Sequence, residues 1–205
     1  MICRHAIVEE LTVLCVYIHF RNELSLMNAS TSGRRRVFDH CFSMRCNFPS
    51  ERQKLITTVS SLFHGKLNIL INNVGTNKTK PTTEYKAEDF SLLMATNFES
   101  AYHLSQLSHP LLKASSAGSI VFLSSVCGVV SVNVGSIYSA TKGAMNQLTK
   151  NLACEWAKDN IRTNCVAPWF TTTPLAQPYS VEFKTGVCCS TSRKNGCSNT
   201  SCKCY

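Results

Sequence analysis

The sequence predicts an α/β fold, a doubly wound parallel sheet, and three observations predict it. Across residues 50–178, short apolar runs alternate with longer helical patterns, the order expected of βαβ units. Gly, Asn, Ser or Pro punctuates each apolar run, and these residues end strands in turns. The longest helical pattern carries its apolar residues as one stripe, as a helix laid against a sheet does.

In chain order, Ser50-Glu51-Arg52-Gln53 reads as a capping box, and Leu55, Val59, Leu62 and Phe63 follow at helical spacing. Leu67-Asn68-Ile69-Leu70-Ile71 reads as a short buried strand ending in the turn Asn72-Asn73-Val74-Gly75. A helix is expected over residues 87–107, closed by His109-Pro110. Ser119-Ile120-Val121-Phe122-Leu123 is a second buried strand, flanked by Gly118 and by Ser124-Ser125. The clearest helix covers residues 136–158, with Ala140, Ala144, Leu148, Leu152 and Trp156 on one stripe at intervals of four. Residues 161–166 form a third strand, stopped by Pro168. The expected domain therefore spans residues 1–178, with an irregular basic stretch at 31–48. Residues 179–205 are rich in Ser, Thr, Lys, Asn and Cys and nearly lack apolar residues after Val187. Such a tail buries too little to order itself and is expected to be disordered.

The 205 residues suffice for one hydrophobic core, and a composition of 44% apolar and 16% charged residues is that of a globular protein. No run approaches the ~18 apolar residues that a membrane span needs. The stretch from Leu11 to Phe20 follows Glu9 and Glu10 rather than a basic flank, unlike a signal peptide. The expectation is a soluble cytoplasmic protein with no membrane partner. The net charge of +9 is densest in residues 31–54 and 179–205. Arg34-Arg35-Arg36 has no interleaved aromatics, so no nucleic-acid partner is expected. Of the twelve cysteines, five fall in the last eighteen residues, without C-x2-C spacing and without a histidine. No metal site is expected there.

Tyr138-Ser139-Ala140-Thr141-Lys142 places a phenol and an ammonium at i and i+4, on one helix face. Alone this is an ordinary surface pair. A free tyrosine, with a pKa near 10, is a poor acid or base at neutral pH, and a neighbouring Lys⁺ favours the phenolate. Ser125 lies thirteen residues earlier, at the C-terminal end of an expected parallel strand, the end where open α/β sheets bind ligands. The Asn72-to-Gly75 turn occupies the same end of the preceding strand, and Asn97 interrupts a helical pattern in which asparagine is a poor helix former. Each residue has an ordinary reading as a turn or surface residue. Their order along the chain joins them.

Strand-NNVG, helix-Asn, strand-Ser-x12-Tyr-x3-Lys resembles the short-chain dehydrogenase/reductase family. Residues 67–75, 96–104, 138–160 and 164–178 are similar to tropinone reductases and their plant relatives, and residues 5–11 resemble the first helix of that group. The resemblance implies a Rossmann-like sheet and an NADP(H)-dependent oxidoreductase that reduces a carbonyl to an alcohol, tropinone-like or another small cyclic ketone. It implies that Tyr138 protonates the carbonyl oxygen and that Ser125 orients it. Lys142 would lower the tyrosine pKa and bind the nicotinamide ribose, and Asn97 would hold a water linking Lys142 to solvent. Asn72 through Gly75 would support the sheet beside the adenosine half. Thr173, five residues after Pro168, matches the position that contacts the carboxamide, and Asn47 stands where the family has an aspartate beside adenine. Arg21, after a Val16-Tyr17-Ile18 strand, matches the basic residue that grips a 2′-phosphate; a guanidinium pairs bidentately with phosphate, which favours NADP.

The chain departs from the family pattern in several places. The family opens on a strand and the glycine turn T-G-x-x-x-G-x-G, and no glycine precedes Gly33 here. That strand would lie between the Val16 strand and the Leu67 strand, so an incomplete and split sheet is expected. Trp169 stands where glycine is frequent, and after Pro178 the family's covering helix and final strand have no counterpart in the pattern. A partial, Rossmann-like domain with impaired activity is expected. The alternative is a non-catalytic fragment acting through oligomerisation with full-length relatives, because the helices around residues 97–107 and 136–156 resemble the family's subunit interface. A homo-oligomer is equally compatible.

Overall fold

The computed structural model describes residues 48–171 in full and the backbone of Val13–His19, Glu23–Ser25 and Lys203–Cys204. Strands β1 (Val13–His19), β2 (Glu23–Ser25), β3 (Ile69–Asn72), β4 (Gly118–Leu123), β5 (Ile161–Ala167) and β6 (Lys203–Cys204) form one sheet in the order β2-β1-β3-β4-β5-β6. β1, β3, β4 and β5 are parallel, while β2 and β6 lie antiparallel on the two edges. The sheet is not split. Val13 through Val16 pair directly with Ile69 through Asn72, where the missing strand was expected to leave a gap. An inner edge left open would strand a row of backbone N–H and C=O groups, and direct pairing satisfies them. Of the tail expected to be disordered, Lys203–Cys204 adds to β5 at Val166 and Ala167; residues 172–202 lie outside the described residues.

Expectations about three helical segments need correction. Helix α1 (Pro49–Leu62) starts before the expected capping box, with Phe48 as N-cap and Pro at the first turn. Proline's missing N–H costs nothing at that position and its fixed φ suits the helix, so no side-chain cap forms. The helix expected over residues 87–107 is two helices, α2 (Ala87–Met94) and α3 (Ser100–Ala114), joined by a π-helical turn over Ala95–Glu99. Pro110 lies inside α3 and does not end it. Leu111 and Leu112 beyond it are 9% and 0% exposed, and burying each leucine is worth about 1.5–3 kcal/mol, enough to offset one lost hydrogen bond. Helix α4 (Ser136–Glu155) matches its pattern in extent but only partly in face: Leu152 and Trp156 of the expected stripe join the core, and the N-terminal half is rotated. Its buried positions are Ile137, Thr141, Lys142, Met145, Thr149 and Leu152, whereas Ala140 is exposed and Ala144 and Leu148 are half-buried.

The sheet buries alternate side chains. Leu70, Ile120, Phe122, Ile161 and Cys165 join Leu55 and Val59 of α1, Leu104 and Leu112 of α3, and Met145 and Leu152 of α4 in one core. Side chains from three helices meeting a single set of strand positions is the packing that right-handed βαβ crossovers produce when strands are added in one direction. The C-terminal tips of β3 and β4 and the N-terminal half of α4 are thereby held at one end of the sheet.

Candidate active site

Four of the functional side chains predicted from sequence, those of Asn97, Ser125, Tyr138 and Lys142, gather at those tips. Ser124 and Ser125 leave β4; Ser124 Oγ donates to Lys142 O at 2.9 Å and its N–H donates to Val166 O at 2.8 Å. One serine thus clamps α4 and β5 to the strand tip. Ser125 caps a 3-10 turn over Val126–Gly128, accepting from Cys127 N at 3.2 Å. Gly128 lets this turn lie on α4, since a Cβ there would come within 2.5 Å of Lys142 C and 2.7 Å of Gly143 N. Asn146 fastens the contact, donating to Gly128 O at 3.0 Å and accepting from the Cys165 thiol at 3.3 Å.

Lys142 is 4% exposed, and its Nζ donates to Leu123 O at 2.7 Å and stands 5.6 Å from the Tyr138 ring centroid. Burial brings its pKa down to about 8 from 10.5, against smaller opposing contributions from Cys165 and Cys127. Burial also pushes the Tyr138 phenol above its ordinary 10, with the Ser125 hydroxyl's hydrogen bond working the other way. The lowering expected from Lys142 is therefore reversed in the free protein. Desolvation penalises the phenolate more than its neighbours stabilise it.

Asn97 sits in the π-helical turn, fully buried, a geometry frequent at functional sites. Its Nδ2 donates to Thr76 O at 2.9 Å and to Thr141 Oγ1 at 3.3 Å, while its Oδ1 accepts from Thr76 N at 2.8 Å. It therefore ties the end of β3 to the turn of α4 that carries Tyr138 and Lys142. Gly75 lies between these groups: a Cβ on it would stand 3.3 Å from Lys142 Nζ and 3.8 Å from Asn97 Oδ1. Asn97, Gly75, Ser125, Tyr138 and Lys142 thus come together. Asn72 does not join them. Its Nδ2 donates to Ser105 Oγ at 3.1 Å, bracing β3 against α3, and its buried Oδ1 has no protein partner. Pro168 bears on the site through its carbonyl, which accepts from Val126 N at 3.1 Å. Arg21, Asn47 and Thr173 lie outside the described residues.

Sequence reasoning missed Ser124, Thr141, Gly128 and Asn146, which hold the others in place. Gly128 alone left a signal, as the only glycine between Gly118 and Gly135. Burial of the Lys142 ammonium has a measurable sign. Unfolded, the lysine keeps its proton to about pH 10.5, and folded it releases it near 8. Between those values the unfolded chain binds more protons, so stability rises with pH there. Across pH 7.5–9.5 the native chain is expected to gain about 1–2 kcal/mol in urea unfolding relative to Lys142→Met. A pH-independent difference would mean the cation is not buried.

A parallel α/β sheet with a serine at one strand tip and a Tyr-x-x-x-Lys pair on the next helix defines a class of nicotinamide-dependent oxidoreductases. Residues 2–182 match the short chain dehydrogenase family, and the chain belongs to the short-chain dehydrogenase/reductase family as a tropinone reductase-like member. It is 60% identical over 184 residues to senescence-associated protein 13 of Arabidopsis thaliana, covering 87% of this chain and 68% of that protein. A tropinone reductase homolog of the same plant is 60% identical over 174 residues, covering 83% of this chain and 65% of that one. Among solved structures, a gluconate 5-dehydrogenase from Burkholderia cenocepacia in complex with NADP and tartrate superposes with a TM-score of 0.61 at 26% identity, covering 70% of this chain and 54% of that chain. ElxO with NADP bound gives 0.63 at 26% identity, over 73% and 59%. The chain thus spans about two thirds of the length of these curated relatives and less of the solved chains.

The family uses nicotinamide cofactors, and the described residues fit the nicotinamide-ribose half of one. Leu123 O takes one N–H of the Lys142 ammonium, and Gly75 keeps clear the space beside Nζ that a Cβ would fill. For the pyrophosphate half the sequence offers no glycine-rich turn before Gly33.

Proposed function

We propose that the chain is an NADP(H)-dependent carbonyl reductase acting on a small cyclic ketone, tropinone-like or other. The observation that supports this most is the gathering of Ser125, Tyr138 and Lys142 at the β4 tip, with Lys142 buried and its carbonyl held by Ser124. NADPH, when bound, supplies hydride to the carbonyl carbon. Tyr138 gives its proton to the carbonyl oxygen, and Ser125 donates a hydrogen bond that orients that oxygen. A phenol with a raised pKa holds its proton until the oxygen becomes basic, and the Lys142 ammonium then stabilises the phenolate left behind. Lys142 also holds the ribose. Asn97 Oδ1 and Lys142 Nζ both approach the space above Gly75, where a water linking them would sit. Arg21, Asn47, Gly75, Pro168 and Thr173 complete the cofactor contacts in this reading, with Arg21 selecting the 2′-phosphate, and Asn72 supports β3 from behind through Ser105.

The purified full chain is expected to change NADPH fluorescence on binding and to oxidise NADPH when a cyclic ketone is added. Its kcat/KM for reduction should fall above pH about 8, as Lys142 loses its charge. Absence of any NADPH signal at millimolar concentration would sink the reading. The alternative, a non-catalytic fragment that oligomerises with full-length relatives, draws support from the outward stripe of α4. Ala144 and Leu148 line an apolar groove there with Phe98 and Tyr102. Co-purification with a tagged full-length relative in the absence of cofactor binding is the result expected of it.

A further inference from the structure

The helix that carries Tyr138 begins without the features that usually hold a helix start. The first N–H groups of any helix lack partners within it, and α4 opens at Gly135 with no side-chain cap and no acidic residue in its first turn. Gly135 stands at φ +108, a conformation that glycine enters and leaves freely. Further along, Ser124 anchors the turn of Lys142 from β4, and Asn146 holds the turn after it. Tyr138 lies in the first turn, ahead of both anchors.

The segment between β3 and α2 meets that first turn. Asn77 Nδ2 and Thr79 Oγ1 both donate to Val134 O, at 2.8 and 3.0 Å, and Thr82 Oγ1 donates to Ser136 Oγ at 3.0 Å. The phenol of Tyr85 occupies the space that a Cβ on Gly135 would need, and its hydroxyl is fixed there by donating to Lys78 O at 2.6 Å. Val134, Gly135 and Ser136 are thus each touched by this one segment. The segment is itself tied at both ends. Asn97 brackets Thr76, accepting from its N–H at 2.8 Å and donating to its carbonyl at 2.9 Å. Lys78 and Lys80 both bond the buried carboxylate of Asp89 in α2, at 2.8 and 2.7 Å.

We propose that residues 77–85 clamp the start of α4, with Asn77 and Tyr85 as positioning residues for Tyr138; the effect on rate rests on the carbonyl-reductase reading. Proton transfer needs the phenol within hydrogen-bond reach of the carbonyl oxygen that Ser125 orients. Loosening the clamp frees the turn of Tyr138, while Lys142, anchored through Ser124, keeps its place. The signature is a lower kcat with NADPH affinity and the alkaline midpoint unmoved. A general loosening of the fold would move all three.

The test compares the full chain with its Asn77→Ala and Tyr85→Phe variants. Amide hydrogen exchange along α4 needs no turnover, NADPH binding is read by fluorescence, and reduction of cyclohexanone by NADPH oxidation. In both variants exchange at Ser139 through Thr141 should quicken about 3–10-fold, the scale of one lost hydrogen bond, with exchange from Met145 to Leu152 unchanged. The kcat should fall about 10–10²-fold, and the Kd for NADPH should stay within about twofold. Tyr85→Phe, which loses a single hydroxyl, decides alone if Asn77→Ala does not fold. Unchanged exchange in the first turn, or exchange that quickens along the whole of α4, overturns the clamp. So does quicker first-turn exchange with kcat unchanged, or a loss of kcat that NADPH affinity shares. A native chain that reduces no ketone, with exchange quickened only in the first turn of the variants, overturns the carbonyl-reductase reading and leaves the clamp standing.

Discussion

Tyr138→Phe is expected to lower kcat for ketone reduction by about 10²–10⁴, the range typical of losing a positioned proton donor. The substitution removes one hydroxyl and keeps the ring against which the Lys142 ammonium lies at 5.6 Å, so the fold should survive. Burial raises the phenol's pKa and the Ser125 hydrogen bond opposes it, so Tyr138 is the partner whose proton is at stake in this pocket. Two readouts separate a chemical from a structural loss. The melting temperature should change little, and the alkaline fall in kcat/KM attributed to Lys142 should vanish from any residual activity, because no phenolate remains for the cation to stabilise. A variant within tenfold of the native rate would show that the proton comes from elsewhere.

Gly128→Ala carries the second large effect. Its Cβ would meet Lys142 C at 2.5 Å, Gly143 N at 2.7 Å and Lys142 O at 2.8 Å. All three are backbone atoms of α4, which cannot rotate aside as a side chain would. The turn must then lift off the helix, breaking the Asn146 bond to Gly128 O and shifting Ser125 relative to Lys142. Overpacking of this kind costs about 1–3 kcal/mol, which urea denaturation would read directly. A displacement of about 1 Å between groups that must act together can cost about 10²-fold in rate. Gly65→Ala is the control: that glycine has φ +76 but open space around its Cα, so its strain is local and should leave ketone reduction unaffected. Equal activity of Gly128→Ala and the native chain would mean that contact between the turn and α4 does not position the site.

Much of the architecture was legible in the chain. The apolar runs at Ile69, Ile120 and Ile161 became parallel neighbours, and Tyr138 and Lys142 fell on one turn of α4, because strand and helix periods are local properties of the backbone. Local rules failed where distant burial competed. Pro110 should have ended a helix, and Leu111 and Leu112 carried it on into the core. The intervals of four from Ala140 to Trp156 marked a stripe whose end, Leu152 and Trp156, is buried, yet the first half of α4 turns Ile137, Thr141 and Met145 inward instead of Ala140 and Ala144. Which face is buried depends on what the sheet offers, and Phe122 and Cys165 lie across from it.

The sequence by itself determined the identity and order of the chemical groups: a serine at a strand end, then a phenol and an ammonium one helical turn apart. Only the tertiary structure decided how those groups behave. It joined β1 directly to β3 where a gap was expected, and it raised the Tyr138 pKa where a lowering was expected. Pairing and desolvation both depend on neighbours brought from far along the chain, and no spacing within a motif encodes them.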